Sequence, residues 1–78
     1  MKEISLNMLA LNQKGKVKRV MNELIIKRRL LDLGITEKTL IEKKLENITK
    51  NLSAYLFRNT LVAIRNEDAE KVIIEVVQ

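Results

Sequence analysis

The sequence predicts a mainly β protein, a small closed barrel of five strands with one longer α-helix and short helical turns. Three observations carry that expectation. The chain has 78 residues, room for one domain over residues 1–78 with a thin core. Apolar and polar residues alternate over several short segments, the period of a strand with one buried face. Proline is absent and glycine occurs only at Gly15 and Gly34, so asparagine, at positions 7, 12, 22, 47, 51, 59 and 66, supplies the punctuation. Asparagine enters the left-handed backbone region more readily than other non-glycine residues.

Taken in order, Ser5 is placed to cap a short turn over residues 6–9. Residues 12–14 turn the chain into a strand over 15–21, where Val17 alternates with Lys16 and Lys18. Its polar flanks suit a strand near an edge or with one solvated face. Asn22 reads as a helix N-cap with Glu23 in the first turn. The helix runs over residues 23–33 and stops at Gly34, which supplies the left-handed terminus. At about 100° per residue, Ile26, Leu30 and Leu33 share a stripe that should face the core. Leu24 and Leu31 stand apart from that stripe, seven residues from each other, with Lys27 and Arg28 between them.

A strand over residues 39–46 follows, then a loop over 47–51. Lys43 falls where the alternation from Ile41 to Leu45 expects an apolar side chain. Either it snorkels at a barrel mouth or the strand carries a bulge. Residues 52–58 and 60–65 are two strands joined at Arg58-Asn59 as a two-residue hairpin. Asn66 caps one acidic helical turn through Ala69. The last strand, 71–77, sets Val72, Ile74 and Val76 opposite Ile73, Glu75 and Val77. Closure into a barrel removes edges that would otherwise aggregate.

Composition narrows function. Cysteine is absent, which excludes disulfides and thiolate metal sites; histidine is absent too, removing the commonest metal ligand and general base. Glu67, Asp68 and Glu70 read as an acidic first turn that complements the helix dipole, not as a converging ligand set. No nucleophile–base pair or glycine-rich phosphate loop is present, and Ser5 and Ser53 have no histidine to activate them. We therefore expect no catalytic residue, no metal ligand and no cofactor. The longest uninterrupted apolar runs are four residues, as at 8–11 and 61–64, against the ~20 needed to span a bilayer. No apolar signal-like region opens the sequence, so a cytoplasmic protein without membrane insertion is expected.

The net charge of +5 admits nucleic acid, an anionic membrane face or an acidic protein as partner. The cations are spread along the chain and mixed with acids. Arg28, Arg29, Arg58 and Arg65 could meet phosphate, but Tyr55 and Phe57 are the only aromatics and share one strand face with Ser53. Rings so placed read as core, whereas single-strand readers need stacking platforms and proline-rich peptides need an aromatic groove.

The segment Lys27-Arg28-Arg29-Leu30-Leu31-Asp32-Leu33-Gly34-Ile35-Thr36 resembles the central signature of the FeoA family: a basic start, two leucines, an acid, then Leu-Gly, a leucine or isoleucine, and Thr. Val62-Ala63-Ile64-Arg65 and Asp68-Ala69-Glu70-Lys71-Val72 resemble its C-terminal signature, and Ser5-Leu6, Leu9 and Gly15-Lys16-Val17 fall at its N-terminal spacing. The resemblance covers nearly the whole chain in order. It implies an SH3-like barrel and a role beside FeoB, a ferrous-iron membrane transporter with a cytosolic G-protein domain. Where the family usually has Pro-Gly this chain has Leu11-Asn12, and where it has Gly this chain has Asn59. Both substitutions keep a residue that tolerates the left-handed region. The family's turn after the helix is Glu37-Lys38 here, and its Leu-Gly-Asp-Pro loop is replaced around residues 47–51.

The resulting expectation is a small accessory or regulatory protein of ferrous-iron transport that docks on FeoB's cytosolic face, as a monomer or weak oligomer. Leu24, Lys27, Arg28 and Leu31 are the candidate partner-binding residues, an apolar pair among cations. The competing arrangement has the turn carrying Met8, Leu9 and Leu11 cover Leu24 and Leu31. Either way the helix and that turn should lie together. Two other readings stand beside this one. Similar barrels form the C-terminal part of DtxR-type iron-dependent repressors, and a basic barrel could bind nucleic acid.

Overall fold

The computed structural model describes residues 2–49 and 51–77. Six strands form one antiparallel sheet: β1 (Glu3–Ser5), β2 (Lys14–Val20), β3 (Leu40–Thr49), β4 (Leu52–Phe57), β5 (Thr60–Arg65) and β6 (Val72–Val76). Their spatial order is β1-β6-β2-β3-β4-β5. Helix α1 (Leu24–Leu33) lies between β2 and β3, and the single turn α2 (Asn66–Ala69) lies between β5 and β6. A 3₁₀ turn, Leu6–Met8, links β1 to the stretch before β2. The fold is mainly β as expected, with six strands where the alternation predicts five. The added strand, β1, is three residues long and among the described residues pairs only with β6, too short to show a period of two.

The core follows the alternation. Val17 of β2, Ile41 of β3, Tyr55 and Phe57 of β4, Ile64 of β5, and Val72 and Ile74 of β6 are all buried. Leu6 and Leu9 enter from the N-terminal turn, Leu30 from α1, Ile35 from the segment after it, and Ala69 from α2. Strand β2 passes close over β6. A Cβ at Gly15 would collide with the tip of the Ile74 side chain and meet the Glu75 carbonyl at 3.3 Å, so a larger residue there requires that tip to turn aside and the carbonyl to give by a few tenths of an ångström.

Left-handed residues fall where the turns need them. The β4–β5 hairpin turns on Arg58 and Asn59, at φ 52° and 62°, the signs of a type I′ turn. Phe57 faces Thr60 across it. Asn12 and Lys38 stand at φ 65° and 75°, so Asn12, Asn59 and the Glu37-Lys38 turn meet the backbone demand expected of them. Gly34 at φ 103° ends α1, its N–H donating to the carbonyls of Leu30 and Leu31.

Several local expectations are corrected. The helix begins at Leu24 with Glu23 in the cap position. Asn22 does not cap it; the residue is buried, and its Nδ2 donates to the Asp68 carbonyl at 2.9 Å, tying the start of α1 to α2. Ser5 also makes no side-chain cap bond, and Asn66 is the first residue of α2, with Arg65 in the cap position and no side-chain cap bond there. Leu33, assigned to the core stripe, is 44% exposed, while Leu30 is buried and Ile26 packs against the core. A helix lying on a small barrel buries a narrower stripe than its leucines could fill. The loop expected over 47–51 is mostly strand: β3 reaches Thr49, which pairs with Leu52. Lys50 lies outside the described residues.

Candidate functional site

Helix α1 reads Leu-Ile-Ile-Lys-Arg-Arg-Leu-Leu-Asp-Leu. Its position after β2 lays one side over the core, so only Leu30 is fully buried. The opposite side keeps its aliphatic residues in solvent: Leu24 is 71% exposed, Ile25 76% and Leu31 56%. Residues three, four and seven apart share a helix face. Leu24, Lys27, Arg28 and Leu31 therefore share one exposed face of α1. Lys27, Arg28 and Arg29 join no ion pair among the described residues.

A groove of about 350 Å³ adjoins this surface, lined by Val20 and Met21 at the end of β2, by Lys27 and Leu31 of α1, and by Ile35 and Glu37 of the following segment. Met21, at its mouth, is 63% exposed. The covering arrangement is overturned: Met8 and Leu11 are themselves 67% and 52% exposed. The N-terminal turn packs mainly on α2 and β6, so the groove beside α1 is walled by β2 instead. Met21 and Ile25 belong to the surface and were not singled out. For Ile25 the signal was composition, because six of the helix's ten residues are aliphatic, more than one barrel-facing stripe can bury; Met21 lies before the helix and carries no such signal.

Lys43 settles the second local question. The β3–β4 register shifts between Lys43 and Leu45 and again before Thr49, so the strand does carry a bulge. The side chain does not snorkel into water. Lys43 is 2% exposed, and its Nζ donates to the Asn7 carbonyl at 2.8 Å and to Glu46 Oε1 at 3.1 Å. The ammonium also lies 5.9 Å from the Tyr55 ring centroid. A buried charge persists only when its donors are engaged, and these contacts engage them. Beside it, Asn47, Ser53 and Asn66 close a ring of hydrogen bonds. The Asn47 amide N–H donates to Ser53 Oγ, Ser53 Oγ to Asn66 Oδ1, and Asn66 Nδ2 to Asn47 Oδ1.

Tyr55 is fully buried, and its hydroxyl has no hydrogen-bond partner among the described residues. Burial pushes its phenol up to about 12, helped by the Glu46 charge; nearby Ser53 offsets this in part, although its hydroxyl is directed to Asn66. Phe57 is buried too, so neither ring can stack on a base. Glu67 and Asp68 occupy the first turn of α2. Among the described residues no group of acids is arranged to hold a metal ion. Among the described residues no helix is long and apolar enough to cross a membrane.

A six-stranded, SH3-like barrel domain with a partly apolar, cationic helix exposed between its second and third strands is the class these features define. The FeoA domain model matches residues 4–76. The chain belongs to the FeoA family, which is associated with ferrous-iron transport. A FeoA-like protein from Clostridium acetobutylicum is similar to it at 26% identity and TM-score 0.87, over 100% of this chain and 91% of that one. A Stenotrophomonas maltophilia FeoA, solved with zinc and described as a prokaryotic SH3 domain protein, shares 21% identity at TM-score 0.80 over 92% of this chain and 89% of its own. A manganese-dependent transcriptional repressor with manganese reaches TM-score 0.89 at 11% identity. That match covers 99% of this chain but 38% of the repressor, and it shows the fold alone. No curated protein matches the sequence.

Proposed function

We propose that this protein is a cytoplasmic accessory or regulator of bacterial ferrous-iron transport that docks on the cytosolic part of a FeoB-type transporter through the exposed face of α1. The observation that carries this reading is the exposure of Leu24 and Leu31 at 71% and 56% beside Lys27 and Arg28, which join no ion pair among the described residues. Aliphatic side chains left in water on a folded surface mark an interaction site when they are contiguous. The flanking cations select an acidic partner surface and speed its approach. The interface is small and the complex transient, burying less than ~1,200 Å². The role is one of binding, since the candidate site offers aliphatic and cationic groups and no nucleophile with a base.

The test is calorimetric titration of the chain into purified cytosolic regions of the transporter, with ferrous-iron uptake measured in a deletion strain. Leu24→Asp and Leu31→Asp should each weaken binding about tenfold or more, while Lys27→Glu should act mainly on association rate and salt dependence. Full uptake without the protein, together with no heat of binding, would overturn the reading. The repressor-type and nucleic-acid readings have less support. The repressor likeness is one of fold, and both aromatic rings lie in the core.

A further inference from the structure

We propose that the polar cavity around Lys43 is a binding site for a small hydroxycarboxylate, and that Glu46 is a tethered carboxylate which this ligand displaces. The cavity measures about 220 Å³ and is lined by Asn7, Lys43, Glu46, Asn47, Ser53 and Asn66. It lies where the 3₁₀ turn, the bulged part of β3, the start of β4 and the start of α2 meet. Every lining residue is polar. A water molecule takes up ~30 Å³, so there is room for more than solvent.

The cation is the fixed part of this site. The side chain of Lys43 is 3% exposed, that of Glu46 50%. The carboxylate can turn out and be hydrated, whereas the ammonium cannot follow it. A buried charge left without its partner is costly, so departure of Glu46 draws another anion in. Glu46 is also loosely framed. The β3–β4 register shifts between Leu45 and Thr49, and Asn47 beside it is left-handed at φ 51°.

The resident carboxylate leaves groups unused. It meets Lys43 through Oε1 alone, at 3.1 Å. Tyr55 lies behind, on the inward strand face it shares with Ser53, and the Lys43 ammonium is 5.9 Å from its ring centroid. Its hydroxyl is buried without a hydrogen-bond partner among the described residues, and so is Oδ1 of Asn7. With its pKa pushed up to about 12, the phenol keeps its proton and can donate it.

Ligand chemistry follows from these groups. One carboxylate oxygen accepts from Lys43 in place of Glu46, and the other accepts from the Tyr55 hydroxyl, both as charge-assisted bonds. A hydroxyl on the neighbouring carbon donates to Asn7 Oδ1. Lys43 and Glu46 are the only ionised residues lining the cavity, so with Glu46 turned out the site suits a monoanion. Because Glu46 competes from a short tether, the apparent affinity falls by the fraction of time it is away. The parent chain should bind with Kd on the order of 10 mM.

The probe is sodium glycolate, titrated into the isotope-labelled chain to about 100 mM, well past that Kd, with ionic strength held constant by sodium chloride. The amides of Lys43, Glu46, Ser53 and Tyr55 should shift and saturate. Acetate should bind about fivefold more weakly, lacking the hydroxyl. Asn7→Ala keeps the carbonyl that holds Lys43 and should bring glycolate down to the affinity of acetate. Glu46→Ala should tighten binding about tenfold or more, and Lys43→Met should abolish it. A parent chain without saturable shifts overturns the proposal, as does binding that survives Lys43→Met. Binding no tighter in Glu46→Ala overturns the displacement of Glu46, and equal affinity for glycolate and acetate overturns the choice of a hydroxycarboxylate. A glycolate-soaked crystal with water alone in the cavity overturns the site. Where Glu46→Ala does not fold, the parent titration decides.

Discussion

Lys38 and Asn59 share a left-handed backbone, at φ 75° and 62°, but they do not bear it equally. Asparagine visits that region at little cost, whereas a long unbranched side chain sits there under strain of ~1 kcal/mol. Lys38→Gly should therefore stabilise the protein by about 0.5 kcal/mol after the extra flexibility glycine gives the unfolded chain. Asn59→Gly should change stability by less than about 0.5 kcal/mol. Urea midpoints at unchanged slope would measure both. At Lys43, replacement by methionine keeps the volume and removes a buried charge but orphans the Asn7 carbonyl, so it should cost about 1–2 kcal/mol. Lys43→Ala leaves a void and an orphaned Asn7 carbonyl and should cost about 2–4 kcal/mol. Tyr55 gives a pH signature. Its phenol is held up at about 12 in the fold against about 10 in the unfolded chain. Between those values the unfolded state releases the proton and the native state keeps it. Stability is thus unaffected below pH ~10 and falls above it, with a slope approaching 1.4 kcal/mol per unit, about one proton's worth. Tyr55→Phe should abolish that slope, and since this is the chain's one tyrosine, phenolate absorbance reports it directly.

Among the elements, those legible in the sequence were the ones whose signals are local. The β4–β5 hairpin rests on adjacent Arg58-Asn59, and the end of α1 on Gly34; both turn chemistries are written within two or three residues. What escaped depends on distant partners. Asn22 looks like a cap from its neighbours, yet its side chain is taken by Asp68, 46 residues on. Nothing near Lys43 says that Asn7 will accept its ammonium. Leu33 shares the apparent stripe of Leu30, but how much of a helix is covered depends on the width of the barrel beneath it. The candidate site was legible as four residues, and its geometry decided whether they were covered. Because Leu24 and Leu31 pack little, Leu24→Asp and Leu31→Asp should shift the unfolding free energy by no more than about 0.5 kcal/mol, and a melt of each variant separates lost docking from lost fold.

For the molecule as a whole, the sheet's terminal strands β1 and β5 do not pair with each other among the described residues. Turn α2 packs on both β5 and the 3₁₀ turn, and that turn packs on β6. The barrel is thus closed on this side by side chains, with Leu6 and Ala69 fully buried, rather than by a ladder. The charge of +5 is distributed over this surface, and with Tyr55 and Phe57 in the core it has no ring to offer a base. Filter binding to single-stranded DNA should accordingly be weak at physiological salt and show no preference among sequences.

Closing the barrel with the N-terminal turn changes what the first nine residues are for. Leu6 and Leu9 fill the core, and Asn7 supplies the carbonyl that holds the Lys43 ammonium. Shortening the chain from its start should therefore produce a cliff rather than a slope. Loss of the residues before Ile4 should be tolerated, and loss of four or five more should strand a cation inside a drained interior, leaving a species that proteases clear before it can meet any partner.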